Sequence, residues 1–323
     1  MARLAFSRYA DFVRYDQAQG ALLLLDSVRV PALLTVSGLS AAVAPIAALA
    51  ALDLQAGTFA AAYGLALAAR EWRDRPADAR RGAVIQAAEQ LCPTNATLAN
   101  TLLPAALAAA DAALFANHDA EGAIVALVDE RVRLADRAAD RCGRHAAGLI
   151  ERGDRVLCAG FGGPPLLALL GTLPSDVTAR VSLTVADAGD AGAALLGLVT
   201  SAAGITVAAA ATAATLERDT ATICFASALA VATDGGAICA AGTGAVLEAA
   251  RRQGVPCYLL APSGPTALAA TAHALVAGAG TVDVLAPDLI STFITDRGLY
   301  RPAMIARYLS DSEAPLDVIP LLG

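Results

Sequence analysis

The sequence predicts an α/β fold in which a helical N-terminal domain precedes a Rossmann-like domain built on a mostly parallel sheet. Residues 40–150 repeat apolar side chains with a helical period. After Gly153, short apolar or β-branched runs alternate with Ala/Leu-rich segments of helical length, which is typical of parallel sheets covered by helices on both faces. We therefore expect a mainly helical domain over 1–151, with a short β element at its start, and a Rossmann-like α/β domain over 152–323.

The first half divides into a β element and a series of helices. Residues 5–35 alternate short apolar runs with turn residues, which predicts one or two hairpins. Ser40 is a good N-cap type for the first helix, and we expect a second helix to restart at Gly57. Charges spaced at i, i+3 and i+4 over 119–151 indicate one solvated helix face.

The second half contains short strands at regular intervals. Six runs are predicted to be strands: 155–161, 181–187, 205–211, 221–230, 257–262 and 281–286. Sheets of this kind bind ligands in the crevice at the carboxyl ends of their strands. We expect any ligand site there.

The charged and metal-ligating residues exclude several classes of function. All 23 basic residues are Arg, so lysine Schiff bases and P-loop lysines are excluded. The net charge of −7 is the opposite of what nucleic-acid binding requires, so a nucleic-acid-binding function is not expected. The three His and six Cys form no CxxC pair and no metal-ligand spacing, so we expect neither a metal nor a cofactor.

The mean hydropathy of +0.57 raises the question of a membrane protein. Residues 41–51 are too short to span a bilayer and contain Pro45, and glycines interrupt the longer run over 191–216. Residues 1–17 carry charges throughout, unlike a signal peptide. We expect a cytoplasmic protein without membrane contact, whose cysteines are reduced and buried.

Four segments in order resemble one known family. They are AAAYGLALAARE (60–71), GRHAAGLIERGDRVLCAG (143–160), GTGAVLEAARRQGVPCYLLAP (242–262) and DLISTFITDRGLYRP (288–302). This ordered set is similar to methylthioribose-1-phosphate isomerase and to the regulatory alpha, beta and delta subunits of translation initiation factor 2B. The resemblance implies the two-domain fold above and a homodimer formed through the C-terminal domain.

The resemblance also implies a catalytic Cys–Asp pair and a phosphate site of Arg side chains and backbone amides. At the matching positions these residues are missing. The catalytic Cys falls on Gly160 and the catalytic Asp on Leu229, while two Arg positions hold Leu52 and Cys92. The Lys before the third segment's Gly-Thr falls on Ala240.

These losses converge on one pocket. Charge-assisted hydrogen bonds contribute roughly 1.5–3 kcal/mol each, so three losses weaken phosphate binding by several kcal/mol. We expect a pocket that is apolar and neutral, and no sugar-phosphate isomerisation by the family mechanism.

Three residues are candidates for catalytic groups that replace the family's Cys–Asp pair. Cys158 lies two residues before the family's Cys position, so both positions face the same side of the strand. Cys158 serves either as a thiol acid or nucleophile in the site, or as a buried cysteine of the strand core. Cys239 is expected at the start of the Gly-Thr helix, where its pKa would be lowered, or else as a buried filler. Asp187 is the last residue of a predicted strand, where its carboxylate serves either in the site or as the cap of the following helix.

The expected ligand-binding residues come from four places. GFGGP (160–164) is a Gly-rich loop after a strand that lets a ligand approach backbone N–H groups, although it lacks the full dinucleotide spacing. Thr94 and Asn95 are polar but are also N-cap types, and Asp234 is also explained by an Asp-Gly turn. The full set is Leu52, Cys92, Thr94, Asn95, Gly160, Phe161, Gly162, Leu229 and Asp234.

Two functions fit this pattern. The first is an enzyme of specialised biosynthesis that isomerises, cyclises or otherwise rearranges an apolar or neutral small molecule. The second is a non-catalytic binding or regulatory subunit, homodimeric or paired with an active paralogue. Loss of the family's catalytic residues motivates both.

Overall fold

The computed structural model describes residues 7–91, 102–174, 177, 182–186, 189–211, 221–232, 234–262 and 282–305. The described helices are α1 (Tyr9–Phe12), α2 (Leu39–Leu52), α3 (Leu54–Glu71), α4 (Ala77–Leu91), α5 (Leu103–Phe115), α6 (Ala120–Ala147), α7 (Gly163–Thr172), α8 (Gly189–Ala203) and α9 (Thr243–Arg252). The mixed α/β class predicted from the sequence is confirmed.

A three-stranded antiparallel meander opens the described chain. Its strands are β1 (Val13–Asp16), β2 (Ala21–Leu25) and β3 (Leu33–Val36). The register pairs Val13 with Leu24 and Leu22 with Val36, and these four side chains are buried. The hairpins predicted over 5–35 are confirmed.

Helix α3 lies at the centre of the helical part. Every residue from Leu54 to Ala69 is buried, because small side chains let the neighbouring helices approach closely. A Cβ on Gly57 would overlap Ala50 of α2. Gly57 is therefore a packing residue rather than the start of the helix.

The boundaries predicted for the first two helices are wrong. Helix α2 begins at Leu39, whose N–H donates to Glu71 Oε1 at 2.9 Å. A single residue, Asp53, separates α2 from α3, and its Oδ1 accepts from the N–H of Ala56 at 2.8 Å. The break occurs at Asp53 because a carboxylate caps the helix better than the Gly-Thr pair that follows.

Six adjacent parallel strands form the main sheet. Their spatial order is β6 (Thr206–Ala211), β5 (Ser182–Ala186), β4 (Arg155–Ala159), β7 (Ile223–Val231), β9 (Cys257–Leu260) and β11 (Thr292–Thr295). The chain thus moves outward from β4 in one direction and then returns to continue on the other side. The gap between β4 and β7 is therefore the topological switch point, where open α/β sheets bind ligands.

Antiparallel strands extend this sheet. Strand β12 (Gly298–Tyr300) pairs with β11, while β8 (Ala237–Ala240) pairs with both β7 and β10 (Val282–Leu285). The six predicted strands are all present. The sequence did not predict β8, β11 and β12.

Helix α6 joins the helical part to the sheet. A Cβ on Gly143 would come within 2.6 Å of the backbone nitrogen of Leu169 in α7, so these helices touch through their backbones. His145 Nδ1 lies 2.8 Å from the carbonyl oxygen of Thr295 in β11. The predicted boundary near residue 152 falls just beyond α6, and the division into two domains stays a prediction.

Candidate functional site

A cavity of about 830 Å³ lies at the switch point. Its floor is the loop after β4 and the part of β7 from Ser227 to Leu229. The C-terminal half of α2 and the first turn of α3 close it from the helical side. The cavity therefore lies where the two parts of the fold meet, as expected for an open α/β sheet.

Glycines shape the loop after β4. Gly160, Gly162 and Gly163 all have positive φ, at 76°, 72° and 63°, which side-chain-bearing residues rarely adopt. A Cβ on Gly163 would overlap Asp53 Oδ2. Ser227 donates its hydroxyl to the Gly162 carbonyl at 2.5 Å. The loop is thus fixed against both β7 and the helical side.

The cavity wall carries carboxylates but no described cation. The polar side chains among its described lining residues are those of Tyr9, Ser27, Asp53, Gln55, Asp190, Ser227 and Thr243. No Arg belongs to the described lining, and most of the remaining residues are Ala, Gly, Leu or Pro. The described wall is therefore apolar with a negative bias.

Four helices begin at this cavity: α3, α7, α8 and α9. A helix N-terminus normally attracts anions through its free N–H groups and its dipole. In this cavity each of the four has either a carboxylate beside it or fewer free N–H groups than usual.

Carboxylates lie at three of these helix ends, and two of them accept a hydrogen bond from the helix backbone. Asp53 caps α3, and Asp190 lies in the first turn of α8. At α9, the N–H of Gly244 donates to Asp283 Oδ2 at 2.7 Å. A second anion at these ends would meet a negative charge.

Prolines remove two of the free N–H groups at the fourth helix end. Helix α7 begins at Gly163, and its next two residues are Pro164 and Pro165. Proline has no backbone N–H, so two of the orphan donors of this first turn are missing. This is the helix end where a Rossmann-like fold usually holds a phosphate.

Asp53 is the group in the cavity best suited to proton exchange. Burial raises the pKa of its carboxyl to about 6, against the opposing effect of the backbone N–H groups of Ala56 and Gln55. Tyr9 lines the same cavity, and burial followed by the charges of Asp53 and Asp136 raises its pKa. A carboxyl that titrates near neutral pH is suited to general acid–base work.

Five of the residues predicted to bind ligand line the cavity: Leu52, Gly160, Phe161, Gly162 and Leu229. Asp234 does not. It is exposed in a turn, where its Oδ1 accepts from the N–H of Gly236 at 2.8 Å, so the turn explains it. Cys92, Thr94, Asn95 and Asp187 lie outside the described residues.

The two candidate thiols do not line the cavity. Cys158 is fully buried within β4, and burial raises its pKa to about 12. Cys239 lies within β8 rather than at the start of α9, and burial together with the charge of Asp283 raises its pKa. The lowered pKa considered for Cys239 is not found, and a fully buried thiol within β8 agrees with the alternative of a core filler.

Sequence reasoning missed Asp53 and Gln55. Both line the cavity, one as the N-cap of α3 and the other in its first turn. The available signal was an Asp and a Gln, two residues apart, inside the apolar Ala-rich stretch over 41–62.

Two negative findings apply to the described part of the chain. None of its groups of His, Cys, Asp and Glu is arranged to hold a metal ion. Among its helices, none has both the length and the hydrophobicity needed to cross a bilayer.

No family model matches the chain, and no curated protein does. Solved structures do. The chain is similar to 5-methylthioribose 1-phosphate isomerase from Pyrococcus horikoshii, with a TM-score of 0.65 and 19% identity over 94% of this chain and 95% of that one.

Initiation-factor structures are similar as well. The delta subunit of translation initiation factor eIF-2B from A. fulgidus has a TM-score of 0.64 and 19% identity over 92% of this chain and 98% of that one. A tetrameric eIF2B beta–delta complex from C. thermophilum has a TM-score of 0.55 and 17% identity over 85% and 95%. The chain therefore has the fold of these proteins, as the sequence resemblance implied.

Proposed function

We propose that the chain is an enzyme that binds an uncharged, phosphate-free small molecule in the switch-point cavity and rearranges it by proton transfer. The observation that carries this proposal is the state of the four helix ends at the cavity. A carboxylate lies at three of them, and two prolines remove half of the free N–H groups at the fourth, so these helix ends disfavour an anionic ligand. The apolar described lining is consistent with this interpretation.

Asp53 supplies the proton transfer in this proposal. Its carboxyl lines the cavity and titrates near neutral pH. The thiols of Cys158 and Cys239 are enclosed and hold their protons, so they take no part. The reaction class is isomerisation, cyclisation or a related rearrangement, which a single acid–base group and an enclosing pocket can support. We place it in biosynthesis in the cytoplasm, as a homodimer.

Affinity for a matched pair of probes tests this proposal. The two probes are 5-methylthioribose and its 1-phosphate, which differ only in the phosphate group. We expect isothermal titration to show tighter binding of the neutral sugar to the native protein, and no conversion of the phosphate ester. Tighter binding of the phosphate ester, or its isomerisation, contradicts the proposal.

A regulatory subunit is the second candidate. One of the similar structures is a complex of initiation-factor subunits, and the family's catalytic Cys and Asp positions hold Gly160 and Leu229. Light scattering coupled to sizing chromatography, together with binding of the neutral probe, distinguishes the enzyme from the regulatory subunit. A homodimer that binds the neutral probe favours the enzyme, whereas a stable complex with a second type of chain and no probe binding favours the subunit.

A further inference from the structure

Two buried cysteines lie side by side in the main sheet, away from the cavity. Cys224 of β7 and Cys257 of β9 are register partners on neighbouring parallel strands. Both lie near the amino ends of their strands, whereas the carboxyl ends of these strands line the cavity. The pair therefore belongs to a different part of the molecule, and it takes no part in the proposed function.

The register places the two thiols within reach of each other. Directly opposed residues of neighbouring strands point to the same face of the sheet, and their backbones are about 4.8 Å apart. Disulfides join residues whose Cα atoms are about 4.4–6.8 Å apart. The thiols of Cys224 and Cys257 are already hydrogen-bonded to each other. Only a small movement is therefore needed to bring the two sulfurs to bonding distance.

Other described cysteines of the sheet lack this arrangement. Cys158 of β4 is opposite Phe225 in β7, so it points to the face of the sheet away from Cys224. The register partners of Cys239 on β7 and β10 are not cysteines. Within the described part of the chain, Cys224 and Cys257 are the cysteines that are paired in register.

The two sulfurs differ in how readily they ionise. The hydrogen bond from Cys224 lowers the pKa of Cys257 and the charge of Arg251 adds to this, while burial opposes it. The same hydrogen bond, followed by burial, raises the pKa of Cys224. The carbonyl oxygens of Leu247 and Val255 lie 3.7 and 3.6 Å from Cys257 Sγ as acceptors for its weak S–H donor. Cys257 is thus the better nucleophile of the pair.

Cys257 lies close to the surface, although its side chain is buried. It is the first residue of β9, and its N–H donates to Oγ of the exposed Ser291 at 3.0 Å. The turn between α9 and β9 contains the exposed Gly254. Opening a surface turn costs less free energy than unfolding the whole chain. Such an opening admits a small oxidant to this thiol, and no binding pocket is needed because the two sulfurs react with each other.

We propose that Cys224 and Cys257 are a redox modification site, at which hydrogen peroxide converts the two thiols into an intrachain disulfide. The Cys257 sulfur attacks one peroxide oxygen, the O–O bond breaks, and a sulfenic acid and one water result. The Cys224 sulfur then attacks the sulfenic sulfur, so that the S–S bond forms, the S–O bond breaks and a second water leaves. The two sulfurs lose two electrons, which reduce the peroxide to the two waters.

The test treats the folded native chain with hydrogen peroxide. The remaining thiols are then blocked with N-ethylmaleimide in denaturant, and the non-reduced peptides are mapped by mass spectrometry. We expect the chain to lose two of its six thiols. One linked pair of peptides should contain Cys224 and Cys257, lighter than the two free peptides by two hydrogen atoms. Dithiothreitol should restore both thiols.

Single substitutions sharpen the assignment. Cys257→Ala should abolish the linked pair, and Cys224→Ala should leave Cys257 as a sulfenic acid that dimedone traps. Cys158→Ala is the matched control, because Cys158 is as fully buried as Cys224 and lies on the neighbouring strand. It should form the linked pair as the native chain does. Circular dichroism checks that each variant is folded.

The native chain decides the outcome even where a variant does not fold. The inference is overturned if the folded chain keeps all of its thiols, if its disulfide joins other cysteines, or if the linked pair forms only in denaturant. Each of these results leaves the proposed function untouched, because ligand binding in the cavity is measured on the reduced protein.

Discussion

Polar side chains near the two ends of helix α3 differ in whether they have hydrogen-bond partners. Near its C-terminal end, Arg70 Nη1 and the Tyr15 hydroxyl both donate to Glu121 Oε1 at 2.9 Å. Farther along the same face, the Tyr63 hydroxyl donates to Asp129 Oδ1 at 2.5 Å. At the N-terminal end, Gln55 Nε2 has no partner, and burial raises the pKa of Asp53.

The difference is whether polar groups have partners within the chain. Where each polar group has its partner, the set stabilises the fold. Where a donor is unpaired and a carboxyl is shifted towards its neutral form, the fold is less stable than it could be. The N-terminal end of α3, where stability is lost in this way, is also the end that lines the cavity.

The largest expected effect is that of Asp53→Asn. Asn is an equally good N-cap, so the cap is kept while the charge is removed. The native pKa of about 6 exceeds the usual 3.8, so the folded state holds this proton more tightly than the unfolded state. The wild-type protein therefore loses stability, relative to the variant, as pH rises from 4 through 6.

At pH 8 we expect Asp53→Asn to raise the free energy of unfolding by about 1–3 kcal/mol. The gain should shrink on acidification to pH 5. Urea unfolding at both pH values measures it, with Asp288→Asn on an exposed turn as the control. A variant that is destabilised equally at both pH values would show that Asp53 is purely structural.

A smaller change in the free energy of unfolding, of opposite sign, is expected for Tyr63→Phe, farther along α3. Tyr63→Phe removes the hydroxyl that donates to Asp129, and the ring itself stays fully buried. Because the lost bond is to a charged but exposed partner, we expect a loss of about 1–2 kcal/mol in the free energy of unfolding. Affinity for 5-methylthioribose should be unchanged. Chemical denaturation and isothermal titration measure these two quantities, and weaker binding of the sugar would contradict the separation of the two ends.

The sequence predicted most of the sheet because strongly apolar runs such as 155–161 and 257–262 are bounded by turn residues. It did not predict β8 because Ala237–Ala240 has little strand propensity and depends on β7 and β10 for its pairing. Strands β11 and β12 have four and three residues, too few to show a period. Short elements formed by tertiary pairing leave little local signal.

The character of the cavity was partly predictable. Matching Leu52, Gly160 and Leu229 to a phosphate-handling site predicted an apolar and neutral pocket, and all three line the cavity. The described lining is mostly apolar, but Asp53 and Asp190 give it a negative bias that was not predicted. Asp53 was missed because a burial-raised pKa depends on packing between α2, α3 and α7, which no local pattern encodes. Cys239 was misplaced for a related reason, because it lies within β8, a strand that was not predicted and that pairs with β7 and β10.

The most direct measurement of the central claim is a titration of the native protein with inorganic phosphate, followed by ³¹P NMR and by backbone amide shifts. Leu52→Arg, which restores a cation at the cavity wall, is the positive control. We predict that the native protein shows no saturable binding, whereas Leu52→Arg gains it. Saturable binding to the native protein, with shifts at Gly163 or Thr243, would contradict the account.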